Sequence, residues 1–415
     1  METNADETRI RYYGWVVVLV AFLLFFLCFG GLVLVGVLIK PWADAFGWQR
    51  GEISGAYMIA TLSLATGGVA FGRLSDRYTV RLLATLGVVA ISTCLVLMSA
   101  IDALWQVYVL FAVYGAIGMG AIYIPLTSSI THWFNANRGI AVAGAMSGAA
   151  IGMGIVPLAA SGLIASFGWR VALLSIGLGY LAISLPLIRL IRNPPQATPA
   201  SAGAVTQSAH DKPVSISPRE SLLWVCTAIV FCCICMAVPQ VHIPALASDF
   251  GFAAAGAASL LTVVMVAGAI GRLAFGRIAD KVGPLKCYML ASFGQTAFVF
   301  WFTQSGSAGF LYGLAVVFGL FFGGVSMSAL LTIRSLVPAR IAGSAIGLVS
   351  MFGWIGMGLG GFLGGFLFDW TGNYRASFGL AAAAGLVNLC ILASLYLRLR
   401  STSRMGFDVE PAAQA

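Results

Sequence analysis

The sequence predicts an all-α membrane protein: twelve transmembrane helices arranged as two pseudo-symmetric six-helix halves. Three observations predict it. Only 9% of the 415 residues are charged and 60% are hydrophobic, against about 25% and 45–50% in soluble domains, so lipid is the solvent for most of the chain. Apolar runs such as Val16–Phe29 are continuous, which suits a spanning helix of about 20 apolar residues and not a barrel strand that alternates over about ten. The chain also repeats itself, since Phe46–Asp76 aligns without gaps on Phe250–Asp280 at an offset of 204 residues.

Each predicted span has a local reason. The span 14–39 follows Arg9 and Arg11 and runs unbroken to Lys40. The span 52–73 ends at the polar Gly72–Arg77 stretch, after which 82–100 runs to Asp102. The span 105–128 opens on Trp105 and carries Gly115, Gly118, Gly120 and Pro125. Spans 138–165 and 171–190 are divided by Gly168, Trp169 and Arg170. The stretch 191–220 holds Pro194, Pro195, Pro199, Pro213 and Pro218 among small polar residues and reads as a linker. Beyond it come 221–246, 254–276, 285–304, 309–332, 340–367 and 376–398, each bounded by glycine, proline or charge. The predicted organisation is a first half 1–190, a cytoplasmic linker 191–220, a second half 221–398 and a cytoplasmic tail 399–415.

Charge orients the bundle. With the N-terminus inside, 18 basic residues fall in cytoplasmic segments and only Lys40, Arg50, Arg170 and Arg375 fall outside. The positive-inside rule therefore puts both termini in the cytoplasm. The net charge of +9 records that bias, and so few charges exclude a cytosolic enzyme or a nucleic-acid partner. The expected location is a cell membrane, in a bacterium the inner membrane, with the chain acting as a monomer. Cys232, Cys233 and Cys235 have no His, Asp or Glu within a turn, so they read as small packed side chains and no metal site is expected. There is no phosphate-binding loop, acid–base pair or nucleophile–histidine pair, so neither an enzyme nor a cofactor is expected. Five tryptophans, Trp42, Trp48, Trp105, Trp169 and Trp370, fall at predicted outer ends, as an aromatic belt requires.

Two related loops follow the second and eighth spans: Gly72-Arg73-Leu74-Ser75-Asp76-Arg77 and Gly276-Arg277-Ile278-Ala279-Asp280-Lys281. Glycine lets helices approach closely, and the charged residues can form ion pairs that break and reform. The pattern resembles the cytoplasmic loop signature of the major facilitator superfamily. The resemblance implies gating roles for Arg73, Asp76, Arg77, Arg277, Asp280 and Lys281. Tyr13-Gly14-Trp15 opens the first span, and His132-Trp133-Phe134-Asn135-Ala136-Asn137-Arg138-Gly139 opens the fifth. Together these are similar to the two signature regions of the monocarboxylate porter family, which includes animal lactate and pyruvate transporters and bacterial oxalate–formate antiporter relatives. Arg138 joins the expected gate.

Arg272 is the one charged residue well inside a predicted span, and its repeat partner is Gly68. It precedes Asp280 by eight residues, about 12 Å along a helix. Burying arginine in a membrane costs at least about 2.5–3.5 kcal/mol, so such residues usually face a wet cavity with a function. A guanidinium fork matches a carboxylate bidentately; the bland alternative is an arginine snorkelling to the interface. The resemblance implies the first reading, because the family's eighth helix carries a carboxylate-binding arginine there. Proton-coupled animal members also carry an acid one turn earlier and a lysine in the first helix, where this chain has Gly268 and Val33. A coupling proton would then ride on the substrate or on His242, and exchange of one anion for another is the alternative.

Other polar groups in spans are candidates for a pocket: Tyr123 among helix-breaking glycines and Pro125, Gln240 and His242 between Pro239 and Pro244, Tyr57, and Ser326. A parallel repeat places a site between its halves near the midplane. The sequence therefore predicts a secondary transporter of a small monocarboxylate such as lactate or pyruvate, with a proton as a candidate partner. The alternatives are an organic-anion antiporter and an exporter of drugs or aromatic compounds.

Overall fold

The computed structural model describes residues 2–75, 77–134, 138–192, 216–304, 306–338 and 341–407. Twelve helical passes follow in chain order. The first, α1, joins Glu2–Leu32 to Leu34–Phe46 through Val33. Next come α2 (Arg50–Leu74) and α3 (Val80–Met98). The fourth, α4, runs Leu104–Val113, a π turn Tyr114–Met119, and Gly120–Trp133. One continuous stretch, Arg138–Arg189, breaks at Gly168 into α5 and α6. The second half holds α7 (Pro218–Asp249), α8 (Ala254–Val282), α9 (Pro284–Val299 extended by Phe300–Thr303), α10 (Ala308–Leu336), α11 (Ala342–Thr371) and α12 (Tyr374–Phe407). Most of the predicted linker, Asp76, the Arg138 side chain and the end of the tail lie outside the described residues.

Local chemistry starts and stops these helices. The Gln49 amide donates to Glu52 Oε2 at 2.9 Å, a capping box at the start of α2. Thr79 caps α3, and Ser217 caps α7 with Pro218 in its first turn. Gly168 has φ 79°, a conformation open to glycine and costly for other residues, so two antiparallel passes turn there. Its repeat mate is Gly372, with φ 72°, and Gly47 and Gly251 (φ 71° and 87°) form a second such pair. The 204-residue repeat is thus written in backbone geometry as well as in residue identity.

Large apolar side chains face outward throughout, among them Leu19, Leu178, Leu273, Phe293 and Leu386, as lipid contact requires. Ten of these helices are long and apolar enough to span a membrane. One of the ten contains the Gly168 break and makes two passes, and α9, too short for that measure, adds another. The interior is knit by close helix contacts: a Cβ on Gly271 or Gly323 would meet the backbone of Leu320 or Gly268, and one on Gly356 or Gly360 would meet the carbonyl of Val230 or Ile234.

The aromatic belt needs one correction. Trp105 and Trp370 are exposed, but Trp42 is fully buried. It packs edge-on to Trp48 and Trp169, with ring centroids at 6.5 and 6.2 Å, because Leu34–Phe46 lies against neighbouring helices and not against lipid.

Candidate functional site

The two halves meet along two seams related by the repeat. In one, Gly154 of α5 lies against Thr262 and Met265 of α8; in the other, Gly358 of α11 lies against Met58 and Thr61 of α2. Each of these residues in the first half has its repeat mate 204 positions later. At the first seam the Thr262 hydroxyl also donates to the Gly154 carbonyl at 2.8 Å.

Toward the end bearing Arg50, the far end, the halves are locked. The Arg50 guanidinium reaches Asp249 of α7 through both nitrogens, at 2.6 and 2.8 Å, and donates to the Tyr374 hydroxyl of α12 at 3.1 Å. It lies 3.9 Å from the centre of the Phe368 ring. Asp369 of α11 accepts the backbone N–H groups of Arg50 and Gly51 at 2.9 and 2.5 Å, so a carboxylate from one half caps a helix N-terminus of the other.

Toward the opposite, basic end the described residues show no hydrogen bond, ion pair or ring contact between the halves. Polar contacts there stay within a half: Tyr13 donates to the Leu190 carbonyl at 2.8 Å, Arg81 to the Arg189 carbonyl, and Arg398 pairs with Glu220 at 3.4 Å. Gly343 and Gly347 have open space where a Cβ would be. Of the predicted gate residues, Arg73, Arg77, Arg277, Asp280 and Lys281 are all exposed and make no side-chain hydrogen bond or ion pair among the described residues. The structure does not bring these loops together.

Arg272 lies on the α8 stripe Thr262, Met265, Ala269, Arg272, while the neighbouring stripe Val266, Ile270, Leu273 is exposed to lipid. Thr262 and Met265 touch α5 at the seam, so Arg272 continues that stripe toward the basic end, where the halves part. It is half-buried, with no hydrogen bond or ion pair among the described residues. Tyr123 of α4 is also half-buried, and its hydroxyl has no partner there either. Its ring stands edge-on to Phe25 and Phe29 of α1, at 5.9 and 5.5 Å. The π turn just before it contains Tyr114, which donates to the Cys28 carbonyl at 2.6 Å and holds α4 against α1; π turns are frequent at functional sites.

The remaining predicted residues are placed differently. Gln240 is buried and donates to the Tyr57 hydroxyl at 3.4 Å and to Met153 Sδ at 3.5 Å, joining α7 to α2 and α5. Tyr57 is fully buried against Gly361. His242 is fully buried, with Nε2 2.8 Å from the Gly361 carbonyl and Nδ1 3.4 Å from the Tyr374 hydroxyl. Both nitrogens are thus occupied behind the Arg50 cluster. Ser326 is half-buried and donates to the carbonyl of Phe322 in its own helix at 3.3 Å. A crevice of about 190 Å³ at the far end touches Lys40, Asp44 and Ser248 but none of the predicted residues.

Three residues that sequence reading passed over matter most here. Arg50, Asp249 and Asp369 build the far-end lock, and their repeat positions hold Ala254, Ala45 and Ala165. Each is a charge without a repeat counterpart, a signal they share with Arg272 but also with Lys40, Asp44, Glu52 and Arg170.

The chain matches the Major Facilitator Superfamily over residues 21–244 and 223–414. It is 28% identical over 393 residues to monocarboxylate transporter 13 of Rattus norvegicus, covering 92% of this chain and 89% of that protein. To monocarboxylate transporter 11 of Homo sapiens it is 29% identical over 399 residues, covering 89% and 80%. An Aspergillus terreus MFS-type transporter, pytF, is 26% identical over 284 residues, covering 68% of this chain and 94% of that one. The fold superposes on a D-xylose–proton symporter with TM-score 0.75 at 15% identity, covering 92% of this chain and 97% of that one. The seams, the repeat and these likenesses agree: the chain belongs to the major facilitator superfamily of membrane transporters.

Proposed function

We propose that the chain carries a small monocarboxylate, such as lactate, pyruvate or a related organic acid, across a cell membrane by alternating access, with Arg272 holding the carboxylate. One observation carries this reading: a half-buried guanidinium in the bundle with no anionic partner among the described residues. An unpaired cation in that setting is costly, and a carboxylate that docks on it offsets the cost. Tyr123, in the other half, carries a hydroxyl with no partner among the described residues. The names of the monocarboxylate transporter relatives support the substrate class.

The halves would rock about the two glycine seams, exchanging the far-end lock for closure at the basic end, where Arg73, Asp76, Arg77, Arg138, Arg277, Asp280 and Lys281 are placed to take part. The basic end would face the cytoplasm, with both termini there, and in a bacterium the membrane would be the inner one. The functional unit would be the monomer, built as the halves 1–190 and 221–398 joined by a cytoplasmic linker. Transport would be symport with a proton brought by the substrate, since Gly268 and Val33 replace the family's acid and lysine. The same absence favours anion exchange as the second reading.

The test is uptake of radiolabelled lactate, pyruvate, oxalate and formate into proteoliposomes, with and without a pH gradient, for the wild type and Arg272→Ala. Monocarboxylate uptake that Arg272→Ala abolishes is the expected result. Uptake stimulated by an acidic outside supports symport, and uptake that needs a loaded internal anion supports exchange. Equal uptake by the variant would remove Arg272 from the site.

A further inference from the structure

Among the described residues a single pair of aromatic rings joins the two halves. Phe29 of α1 stacks on Trp354 of α11, with centroids 5.8 Å apart and planes inclined by 29°. Phe29 is covered, but Trp354 is half-exposed, and its indole N–H has no hydrogen-bond partner among the described residues. Tyr123 meets the edge of the same Phe29 ring, at 5.5 Å and 79°.

The depth of this cluster follows from helix registry. A Cβ on Gly30 would lie 2.7 Å from the Gly152 carbonyl oxygen and 2.6 Å from Val156, which brackets Gly154 of the seam. Gly154 in turn touches Thr262 and Met265, so Phe29 lies level with that turn of α8. Trp354 is one turn toward the basic end from Gly358, which touches Met58 in the other seam. The stacked pair therefore sits at the basic-end edge of the seams, and among the described residues no hydrogen bond, ion pair or ring contact joins the halves beyond it.

Arg272 follows Met265 by seven residues, about 10 Å nearer the basic end. Side chains in a helix lean toward its N-terminus, and the N-terminus of α8 is at the far end. The first side-chain bond of Arg272 is therefore aimed toward the aromatic rings. Trp354 lies about 6 Å and Arg272 about 10 Å from the seam level toward the basic end, so the cation and the flat rings with free donors stand at neighbouring depths and one ligand can meet both.

We infer that the preferred substrate is a carboxylate with a planar aromatic body: the carboxylate docks on Arg272, and the ring packs under Trp354 beside Tyr123. This inference rests on the reading of Arg272 as the carboxylate anchor. Aromatic packing adds about two- to tenfold in affinity beyond simple burial, and the free Tyr123 hydroxyl and indole N–H favour rings that carry an acceptor.

The test is equilibrium binding to the full-length protein in lipid nanodiscs, using lactate, phenylacetate, indole-3-acetate and the neutral 2-phenylethanol. Phenylacetate and indole-3-acetate are expected to bind at least tenfold more tightly than lactate, and 2-phenylethanol far more weakly than phenylacetate. The aryl-to-lactate affinity ratio should fall about two- to tenfold in Trp354→Leu, which keeps bulk without a ring, and persist in Trp354→Phe. A ratio near one in the wild type, or one that survives Trp354→Leu, overturns the aromatic assignment and leaves the carboxylate site standing. Binding of 2-phenylethanol as tight as that of phenylacetate, or of no carboxylate at all, overturns the Arg272 anchor as well. The wild-type ligand series decides the matter even if a variant fails to fold.

Discussion

Arg50 and Arg272 are chemically the same side chain, and the structure treats them in opposite ways. Arg50 has its guanidinium paired, with two bonds to Asp249, one to Tyr374 and a ring beneath it. Arg272 is half-buried with no partner among the described residues. The first is a cation whose anion belongs to the protein, and its pairing closes one end of the bundle. The second is a cation with no anion of the protein beside it among the described residues, and in the proposed function its anion is the substrate. Neither has a charged counterpart in the repeat, so the two halves of a nearly symmetric scaffold differ in charge at both positions.

The largest expected effect is at Arg272. A bidentate charged hydrogen bond lost from a partly desolvated site is worth about 3–5 kcal/mol, so Arg272→Ala should lower uptake of the transported carboxylate by at least about 100-fold. Arg272→Lys keeps the charge but not the fork and should fall between. Initial rates in proteoliposomes measure both, and rates for Arg272→Ala within tenfold of wild type would break the contrast between the two arginines.

Second in size is the packing that both seams share. A Cβ on Gly154 would come within 3.1 Å of the Thr262 Cα, and one on Gly358 within 3.2 Å of the Met58 Cα. At Gly154 the obstacles are the Thr262 Cα and the Met265 Cβ, neither of which can swing aside, and at Gly358 the Thr61 Oγ1 lies nearer still, at 2.5 Å. Gly154→Val and Gly358→Val should each cost about 1–3 kcal/mol through overpacking. The effect should be at least as large at Gly358, where the Thr61 hydroxyl crowds the position that its repeat mate Met265 approaches only to 3.1 Å. Thermal unfolding of the purified variants measures this, and a large effect at one seam alone would show that symmetry stops short of the interface.

Most of the scaffold was legible in the sequence, because the lipid solvent imposes a strong signal. Spans follow from apolar run length, and the repeat that pairs Gly47 with Gly251 and Gly168 with Gly372 follows from residue identity. Arg272 was legible because charge inside an apolar run is costly. The far-end lock was not: Arg50 begins a helix among loop residues, and its partners Asp249 and Asp369 lie 199 and 319 residues away. Nothing local announces such a pairing. The Phe29–Trp354 stack was hidden for the opposite reason, since aromatic residues are common in spans and usually pack without consequence. His242 stood out as polar in an apolar run, but polarity alone does not say whether it faces a cavity or, as here, a carbonyl and a tyrosine.

The third effect is at the lock. The Arg50–Asp249 pair is only partly shielded, with side-chain exposures of 16% and 30%, so roughly 1 kcal/mol is a fair value for it. Arg50→Ala or Asp249→Asn should then shift the balance toward an open far end about fivefold. Spin labels at Ala45→Cys and Ala253→Cys report the separation, with Cys390→Ser removing the one exposed cysteine. Raising the ionic strength should shift the wild type the same way by a smaller amount, since salt screens partly exposed charges. The Asp369 contacts are to backbone N–H groups and should outlast Arg50→Ala, so the far end loosens without coming fully apart.

The smallest effect is expected at the basic end. Arg277 and Lys281 are exposed and unpaired among the described residues, so in this conformation their replacement by alanine should change stability by less than about 0.5 kcal/mol. It should also leave the Ala45–Ala253 separation unchanged. If these cations close the basic end in the alternate state, their loss costs free energy only there. Adding Arg277→Ala and Lys281→Ala to Arg50→Ala should therefore reverse part of the opening that Arg50→Ala alone produces, because the competing state is weakened in turn. Labels at Tyr78→Cys and Val282→Cys should at the same time report a wider basic end. If the triple variant opens the far end as much as Arg50→Ala does, the basic loops take no part in closure, and the two ends of the bundle are held by different kinds of force.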